Sequence, residues 1–148
     1  MTLPSLIPET SVAVRATGPG FAQEIVAGQH RLNADEPLSS GGTDTGPTPY
    51  ELLLAALGTC TAMTVTMYAR RKNWPLDGIV VRLSHLKTHA EDCLACHTEA
   101  GFLDRIDCDI ELTGSLSPAE RMRLFEIAEK CPVRRTLTSE IDLRSSLT

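Results

Sequence analysis

Residues 50–71 have the sequence YELLLAALGTCTAMTVTMYARR, which contains no proline and is interrupted only by Gly58. The stretch is rich in leucine, alanine and methionine, which favour the α-helix. Pro49 suits the first helical position, and the basic run 70–72 suits the negative end of the helix dipole. Apolar residues lie nearly all round the helix over 52–67, a pattern typical of a buried helix. We therefore expect a long buried helix at the centre of the fold.

The flanking sequence predicts strands and one further helix. Alternating segments bounded by turn residues predict strands at 11–17, 21–26 and 30–33 before the long helix, and at 79–86, 105–112 and 140–144 after it. A Gly- and Pro-rich loop is expected over 36–49. The capping box that starts at Ser117 predicts a second helix, which ends at about Lys130. This order of elements predicts an α+β fold in a single domain, residues 1–148.

The composition limits the classes of function. The chain has 148 residues, 42% hydrophobic and 22% charged, which is ordinary for one globular domain. Its net charge of -5 and lack of a long basic run argue against nucleic acid and an acidic membrane surface. The longest uninterrupted apolar run, 52–57, is much shorter than the roughly 20 residues that cross a bilayer. The N-terminus lacks the basic segment of a secretory signal, so we expect a soluble, cytoplasmic protein without membrane contact.

A helix that is apolar all round needs cover on every side. One small sheet in a chain of 148 residues is not enough to supply that cover. A second copy of the chain is the simplest source of the missing surface. We therefore expect a homodimer.

The five cysteines stand at positions 60, 93, 96, 108 and 131. An odd number in a chain without a secretory signal does not suggest a disulfide framework. Taken alone, Cys60 is most simply a small buried side chain of the helix, and Cys131 has the same simple interpretation. However, Cys131 lies at a helix break before Pro132, with Arg134 and Arg135 close by, and nearby arginines favour the nucleophilic thiolate.

Two motifs resemble those of the OsmC/Ohr family. One is GPTPYELLLAALGTC at 46–60, followed by TAM, and the other is CPVRRTLT at 131–138. Their order and separation are similar to the family's, and the resemblance extends from about Val12 to Leu143. The chain looks closer to the OsmC-like branch than to the organic hydroperoxide resistance branch proper.

The resemblance implies a fold and a reaction. The fold would be OsmC-like, with antiparallel sheets around a long buried helix, a second helix, and an intertwined homodimer with two active sites at the subunit interface. Cys60 would attack the peroxide and become a sulfenic acid, and Cys131 would resolve it to a disulfide. A dithiol such as a lipoylated protein would then reduce the pair. No cofactor and no metal would be needed.

The same resemblance implies a partner for the Cys60 thiolate. The family uses an arginine from its N-terminal β segment, and Arg15 is the matching candidate. In the hydroperoxide resistance branch a glutamate follows the second proline of the first motif and orients that arginine. Here Tyr50 holds this position and Glu51 follows it, rotated by about 100° on a helix. Glu51 is therefore a candidate partner for Arg15. The replacement of the family's glutamate by Tyr50 also suggests an alternative function, that of a non-enzymatic, redox-sensing or ligand-binding protein.

A second group of thiols invites another interpretation. Cys93, Cys96 and His97 form a C-x-x-C-H run, and soft ligands at this spacing suit zinc, with His89 or Cys108 completing the site. The pattern is also that of haem attachment, which requires export. Charged neighbours favour a solvated loop with incidental thiols instead.

Overall fold

The computed structural model describes residues 10–148. The segment 1–9, where we expect no secretory signal, lies outside the described residues. In chain order the elements are β1 (Ala13–Ala16), β2 (Gln23–Ala27), β3 (His30–Ala34), α1 (Pro49–Lys72), β4 (Gly78–His89), β5 (Phe102–Thr113), α2 (Pro118–Ala128) and α3 (Pro132–Leu137). The predicted α+β class, with antiparallel sheets and a long helix, is confirmed. The chain forms two compact units, one up to Leu52 and one from Leu53 onward.

In the first unit, β1, β2 and β3 form an antiparallel sheet with one apolar and one polar face. Val14 lies opposite Ile25, which lies opposite Leu32, and directly opposed residues project from the same face. Val14 and Leu32 are nevertheless 61% and 51% exposed. Arg15 lies opposite Glu24 and therefore belongs to the other, polar face. The apolar face of the sheet is largely uncovered within the described chain.

The predicted loop after β3 is present, and it is held by Asp35. This carboxylate is buried and accepts hydrogen bonds from the backbone N–H groups of Glu36, Thr43 and Thr45. The hydroxyls of Thr43 and Thr45 donate to it at 2.6 and 2.8 Å. These bonds, the one from the Thr43 side chain first, hold the pKa of Asp35 far below its usual range although burial opposes them. One side chain therefore fixes most of the loop.

Helix α1 begins with a capping box. The Thr48 hydroxyl accepts from the Glu51 backbone N–H, and the Glu51 carboxylate accepts from the Thr48 backbone N–H at 2.8 Å. This reciprocal pair satisfies two of the backbone donors that a helix start leaves unpaired.

Only one stripe of α1 is buried. Its buried residues follow helical spacing and are Leu57, Gly58, Thr61, Val65 and Ala69. Met63 and Met67, on another face, are 64% and 71% exposed. Within the described residues the packed elements therefore cover one side of α1, and the sequence analysis expects a second copy of the chain to cover the rest.

Helix α1 is more apolar than its longest uninterrupted apolar run indicates. Its length and a mean hydropathy of 1.6 over its most apolar window meet the criteria for a membrane-spanning helix. The uninterrupted run 52–57 understated this, because threonines and glycine break the run without making the helix polar. The core helix of a soluble protein meets the same criteria, so length and hydropathy do not assign α1 to a membrane.

The second unit packs α1 against a hairpin and α2. Strands β4 and β5 pair antiparallel from Gly78↔Thr113 to His89↔Phe102, longer than predicted. The buried core consists of Val65, Ala69, Leu116, Leu124 and Ala128. Gly58 admits the hairpin onto α1, because a Cβ there would lie 2.7 Å from Leu83 Cδ1. The predicted capping box at Ser117 is present and starts α2.

The C-terminal region differs from the prediction. A helix, α3, follows Cys131 where only a turn was expected, and no strand forms over 140–148. Pro132 at the first helical position is the local signal for α3. The alternation at 140–144 has no partner strand in the described chain, and an alternating segment without a partner does not make a sheet.

Candidate functional site

Cys131 is fully buried at the start of α3. Its Sγ takes the place of the usual oxygen at a helix N-cap and accepts from the backbone N–H of Arg134 at 3.4 Å. Pro132 supplies the first helical residue and needs no hydrogen bond. The break before Pro132 therefore places a thiol in a defined position rather than in a flexible turn.

Thr61 connects Cys131 to the long helix. The Thr61 Oγ1 lies 3.5 Å from Cys131 Sγ and 2.8 Å from the Leu57 carbonyl oxygen. A hydroxyl has one hydrogen, which bonds either the carbonyl or the sulfur. Rotation of the Thr61 hydroxyl therefore switches its hydrogen between the Leu57 carbonyl oxygen and the Cys131 sulfur. Thr61 is thus an adjustable partner of Cys131.

Cys60 immediately precedes Thr61 on α1 and is half-buried. One residue corresponds to about 100° of rotation, so its side chain leaves the helix beside the stripe that contacts Cys131. Cys60 and Cys131 are both free thiols. The second unit therefore brings Cys131 into contact with Thr61, the residue that follows Cys60, although 71 positions separate the two cysteines in sequence.

Arg15 and Glu51, the other predicted site residues, both belong to the first unit. Arg15 is 74% exposed, and its Nε donates to the Glu24 carboxylate at 2.7 Å. Arg31 binds the same carboxylate, and its hydrogen bond, followed by that of Arg15, lowers the pKa of Glu24. Glu51 bonds Thr48 in the capping box. The predicted roles of Arg15 at Cys60 and of Glu51 at Arg15 stay predictions.

A cavity of about 700 Å³ opens in the second unit between α1 and the C-terminal helices. Thr64, one turn after Cys60 on the same face of α1, and Pro132, next to Cys131, both line it. The other lining residues are Met67, Tyr68, Arg70, Arg71, Ile127, Lys130 and Arg135. The walls combine apolar surface with four cations, and the volume is in the usual range for small-molecule sites.

The C-x-x-C-H run lies in the connection between β4 and β5. Cys93 and Cys96 form a disulfide, while His89 stacks on Phe102 at 4.4 Å between ring centroids. Within residues 10–148, no group of three or more His, Cys, Asp or Glu side chains is placed to hold a metal ion. These residues therefore provide no set of ligands for the zinc site that the sequence suggested.

Sequence analysis named Arg134 near Cys131 but did not place Thr61 or Cys108 there. Thr61 and Arg134 contact the sulfur, and a third free thiol, Cys108, lies in the field of Arg134, Glu129 and Cys131. Only Arg134 had a sequence signal, as one of the arginines after Cys131. The other contacts join positions far apart in sequence, and no local pattern indicates them.

The family model described as OsmC-like protein matches residues 42–146. The match covers most of the sequence and includes both cysteine motifs. The chain therefore belongs to the OsmC-like protein family. No curated protein sequence matches it significantly.

Solved structures share the fold. An OsmC like protein from Mycoplasma pneumoniae is 16% identical with a TM-score of 0.67, covering 88% of this chain and 87% of that one. A Legionella pneumophila structure, described as an organic hydroperoxide resistance protein OsmC, is 18% identical with a TM-score of 0.63, covering 93% and 94%. The organic hydroperoxide resistance protein OhrB of Bacillus subtilis is 20% identical with a TM-score of 0.59, covering 90% and 93%. At these identities the comparison establishes the fold alone.

Proposed function

We propose that the protein is a cytoplasmic, thiol-dependent peroxidase that uses Cys60 and Cys131. The observation that carries the proposal is the contact of Cys131 with Thr61, the residue next to Cys60, in a chain of the OsmC-like family. The organic hydroperoxide resistance proteins with the same fold support a peroxide-related redox role.

In the proposed reaction, the Cys60 thiolate attacks the distal peroxide oxygen. The O–O bond breaks, alcohol or water leaves, and Cys60 becomes a sulfenic acid. The Cys131 thiolate then attacks the Cys60 sulfur, hydroxide leaves and is protonated to water, and a disulfide forms. A dithiol reductant, such as a lipoylated protein, restores both thiols and is itself oxidised to a disulfide.

The cavity beside the two cysteines supports an organic peroxide as substrate. Its apolar walls, which include Met67 and Ile127, favour an alkyl chain over water. Hydrogen peroxide gains nothing from these walls. We therefore expect faster turnover with alkyl hydroperoxides than with hydrogen peroxide.

Peroxide consumption with a dithiol reductant tests the proposal. Cys60→Ser is expected to lower turnover by about a hundredfold or more, because a hydroxyl does not replace the nucleophilic thiolate. Cys93→Ser combined with Cys96→Ser removes the disulfide of the β4–β5 connection without releasing a new thiol, and this control is expected to keep the activity. Full turnover by Cys60→Ser would refute the proposal.

The cavity also favours a second candidate, a non-enzymatic ligand-binding or redox-sensing protein. A site of about 700 Å³ with apolar walls and cations suits a small amphipathic molecule. Under this alternative, peroxide would form a Cys60–Cys131 disulfide once, and added dithiol would not sustain turnover. The steady-state rate therefore separates the two candidates.

A further inference from the structure

Cys108 is a free thiol that the proposed reaction does not use. It lies in β5 directly opposite Leu83 of β4, so both side chains project from the same face of the hairpin. Leu83 packs on α1 at Gly58. Because Gly58 and Thr61 share the buried stripe of α1, the Cys108 side chain points toward the part of the helix that Cys131 contacts.

Arg134 links Cys108 to Cys131. Its backbone N–H donates to Cys131 Sγ at 3.4 Å, and its guanidinium is placed to hydrogen-bond a Cys108 thiolate. Glu129 holds that guanidinium at 3.1 Å. The Nε of Arg134 is buried and lacks an acceptor among the described residues. An unpaired buried donor is costly, and a Cys108 thiolate would add an acceptor for the Arg134 guanidinium.

Burial raises the pKa of the Cys108 thiol, although Arg134 opposes the rise. Cys108 therefore remains mostly protonated at neutral pH and is a slow nucleophile there. A slow thiol does not intercept the first oxidation step, but it can act afterwards on a disulfide that persists.

We propose that Cys108 is a third redox thiol. After the first turnover it replaces Cys60 as the disulfide partner of Cys131. The Cys108 thiolate attacks Cys131 Sγ, the Cys60–Cys131 bond breaks, and Cys60 leaves as a thiolate. A Cys108–Cys131 disulfide forms, and no net oxidation or reduction occurs. This step rests on the proposed function, which supplies the Cys60–Cys131 disulfide.

The exchange has a measurable consequence. The freed Cys60 reacts with a second peroxide before any external reductant arrives, and it stops as a sulfenic acid. Apart from any peroxide used by Cys93 and Cys96, the pre-reduced protein then consumes two equivalents of peroxide per chain, whereas a protein without Cys108 consumes one.

Peroxide titration without added dithiol tests the stoichiometry in a pre-reduced chain that carries Cys93→Ser and Cys96→Ser, because the Cys93–Cys96 pair could otherwise consume peroxide itself. This chain is expected to consume a second equivalent more rapidly as pH rises toward the Cys108 pKa, because the thiolate is the attacking form. Cys108→Ser and Cys108→Val should both stop after the first equivalent, and two replacements of different polarity guard against a folding defect. A second equivalent that persists in both folded variants would overturn the proposal.

A second measurement does not depend on peroxide chemistry. Diamide treatment of Cys60→Ser, followed by alkylation and peptide mass spectrometry, is expected to yield a Cys108–Cys131 cross-linked peptide. If both cysteines remain fully alkylated, Cys108 is not in reach of Cys131 and the proposal fails. If the cross-link forms but peroxide never oxidises Cys60 in the parent chain, the proposed function fails and the placement of Cys108 stands.

Discussion

Cys131 serves as both a thiol and a helix cap. Its sulfur accepts the Arg134 N–H and contacts Thr61 while it is fully buried. Sulfur is a weak acceptor, so an oxygen would normally be preferred at this position. The choice of cysteine over serine is therefore not explained by capping, and a chemical role for the thiol explains it better.

Substitutions of Cys131 should separate these two roles. Cys131→Ala removes the cap and is expected to lower the free energy of unfolding by about 1 kcal/mol. Cys131→Ser keeps an acceptor for the Arg134 N–H, so its stability should stay close to that of the parent chain, while disulfide formation is lost. Urea unfolding of the reduced proteins measures this difference. Equal losses in both variants would contradict the capping role.

At the residue scale, sequence identified the two proposed reactive thiols but not their surroundings. Cys60 and Cys131 each belong to a motif of consecutive residues, so both thiols can be recognised from local sequence. The contact of Thr61 with Cys131 depends on how α3 packs against α1 and has no local signature. Glu51 was named from the sequence only as a candidate partner for Arg15, and its capping box with Thr48 was not predicted.

Among the elements, the loop between β3 and α1 depends most on a single side chain. Asp35 accepts five hydrogen bonds, from Glu36, Thr43 and Thr45. The long Gly- and Pro-rich segment predicted as irregular is therefore ordered by one carboxylate. The composition of this segment predicted a loop. The role of Asp35 could not be predicted, because it depends on Thr43 and Thr45 lying close to the same carboxylate in the folded chain.

Asp35→Asn is expected to lower the melting temperature at neutral pH, because an amide cannot accept all of these bonds. The pKa of Asp35 is depressed in the folded chain, so its contribution is present above the unfolded pKa of about 4 and is lost as pH falls toward the folded value. The difference in melting temperature should therefore be constant from about pH 7 to pH 5 and shrink below about pH 4. Thermal unfolding across this range measures it.

Asp44→Asn, an exposed change in the same loop, is the control and should be nearly neutral. A loss for Asp35→Asn that does not shrink in acid would show that the ionised carboxylate is not the stabilising form.

Element prediction succeeded where the signal was long or chemically specific. Helix α1 and the capping box of α2 are examples. Helix α3 was missed because six residues are too short to establish a helical period. The closing strand at 140–144 was predicted from alternation alone, and alternation does not reveal whether a partner strand exists.

For the whole molecule, two apolar surfaces are exposed when residues 10–148 are considered alone. One is the sheet face with Val14 and Leu32, and the other is the face of α1 with Met63 and Met67. The sheet face belongs to the first unit and the α1 face to the second unit. Both fit the expectation of an intertwined homodimer, which stays a proposal.

Met63→Lys combined with Met67→Lys is expected to raise the dimer dissociation constant by about a hundredfold or more, because two charged side chains replace apolar contacts. Light scattering over a range of concentrations measures the mass. Met122→Lys changes an exposed methionine on α2 and is the control. A parent chain that is monomeric at high concentration, or an unchanged dimer in the double variant, would contradict the proposed interface.

The sulfur cap of α3 would couple oxidation of Cys131 to the order of the helix. If Cys131 forms the proposed disulfide, its sulfur would turn toward the new bond and the Arg134 N–H would lose its acceptor. The first turn of this short helix would then loosen, and its amide protons would exchange faster with solvent. The disulfide beneath the frayed helix would be accessible to a reducing partner, whereas the reduced thiol would stay buried. The chain would thus report its oxidation state through local order and open to the reductant only when reduction is needed.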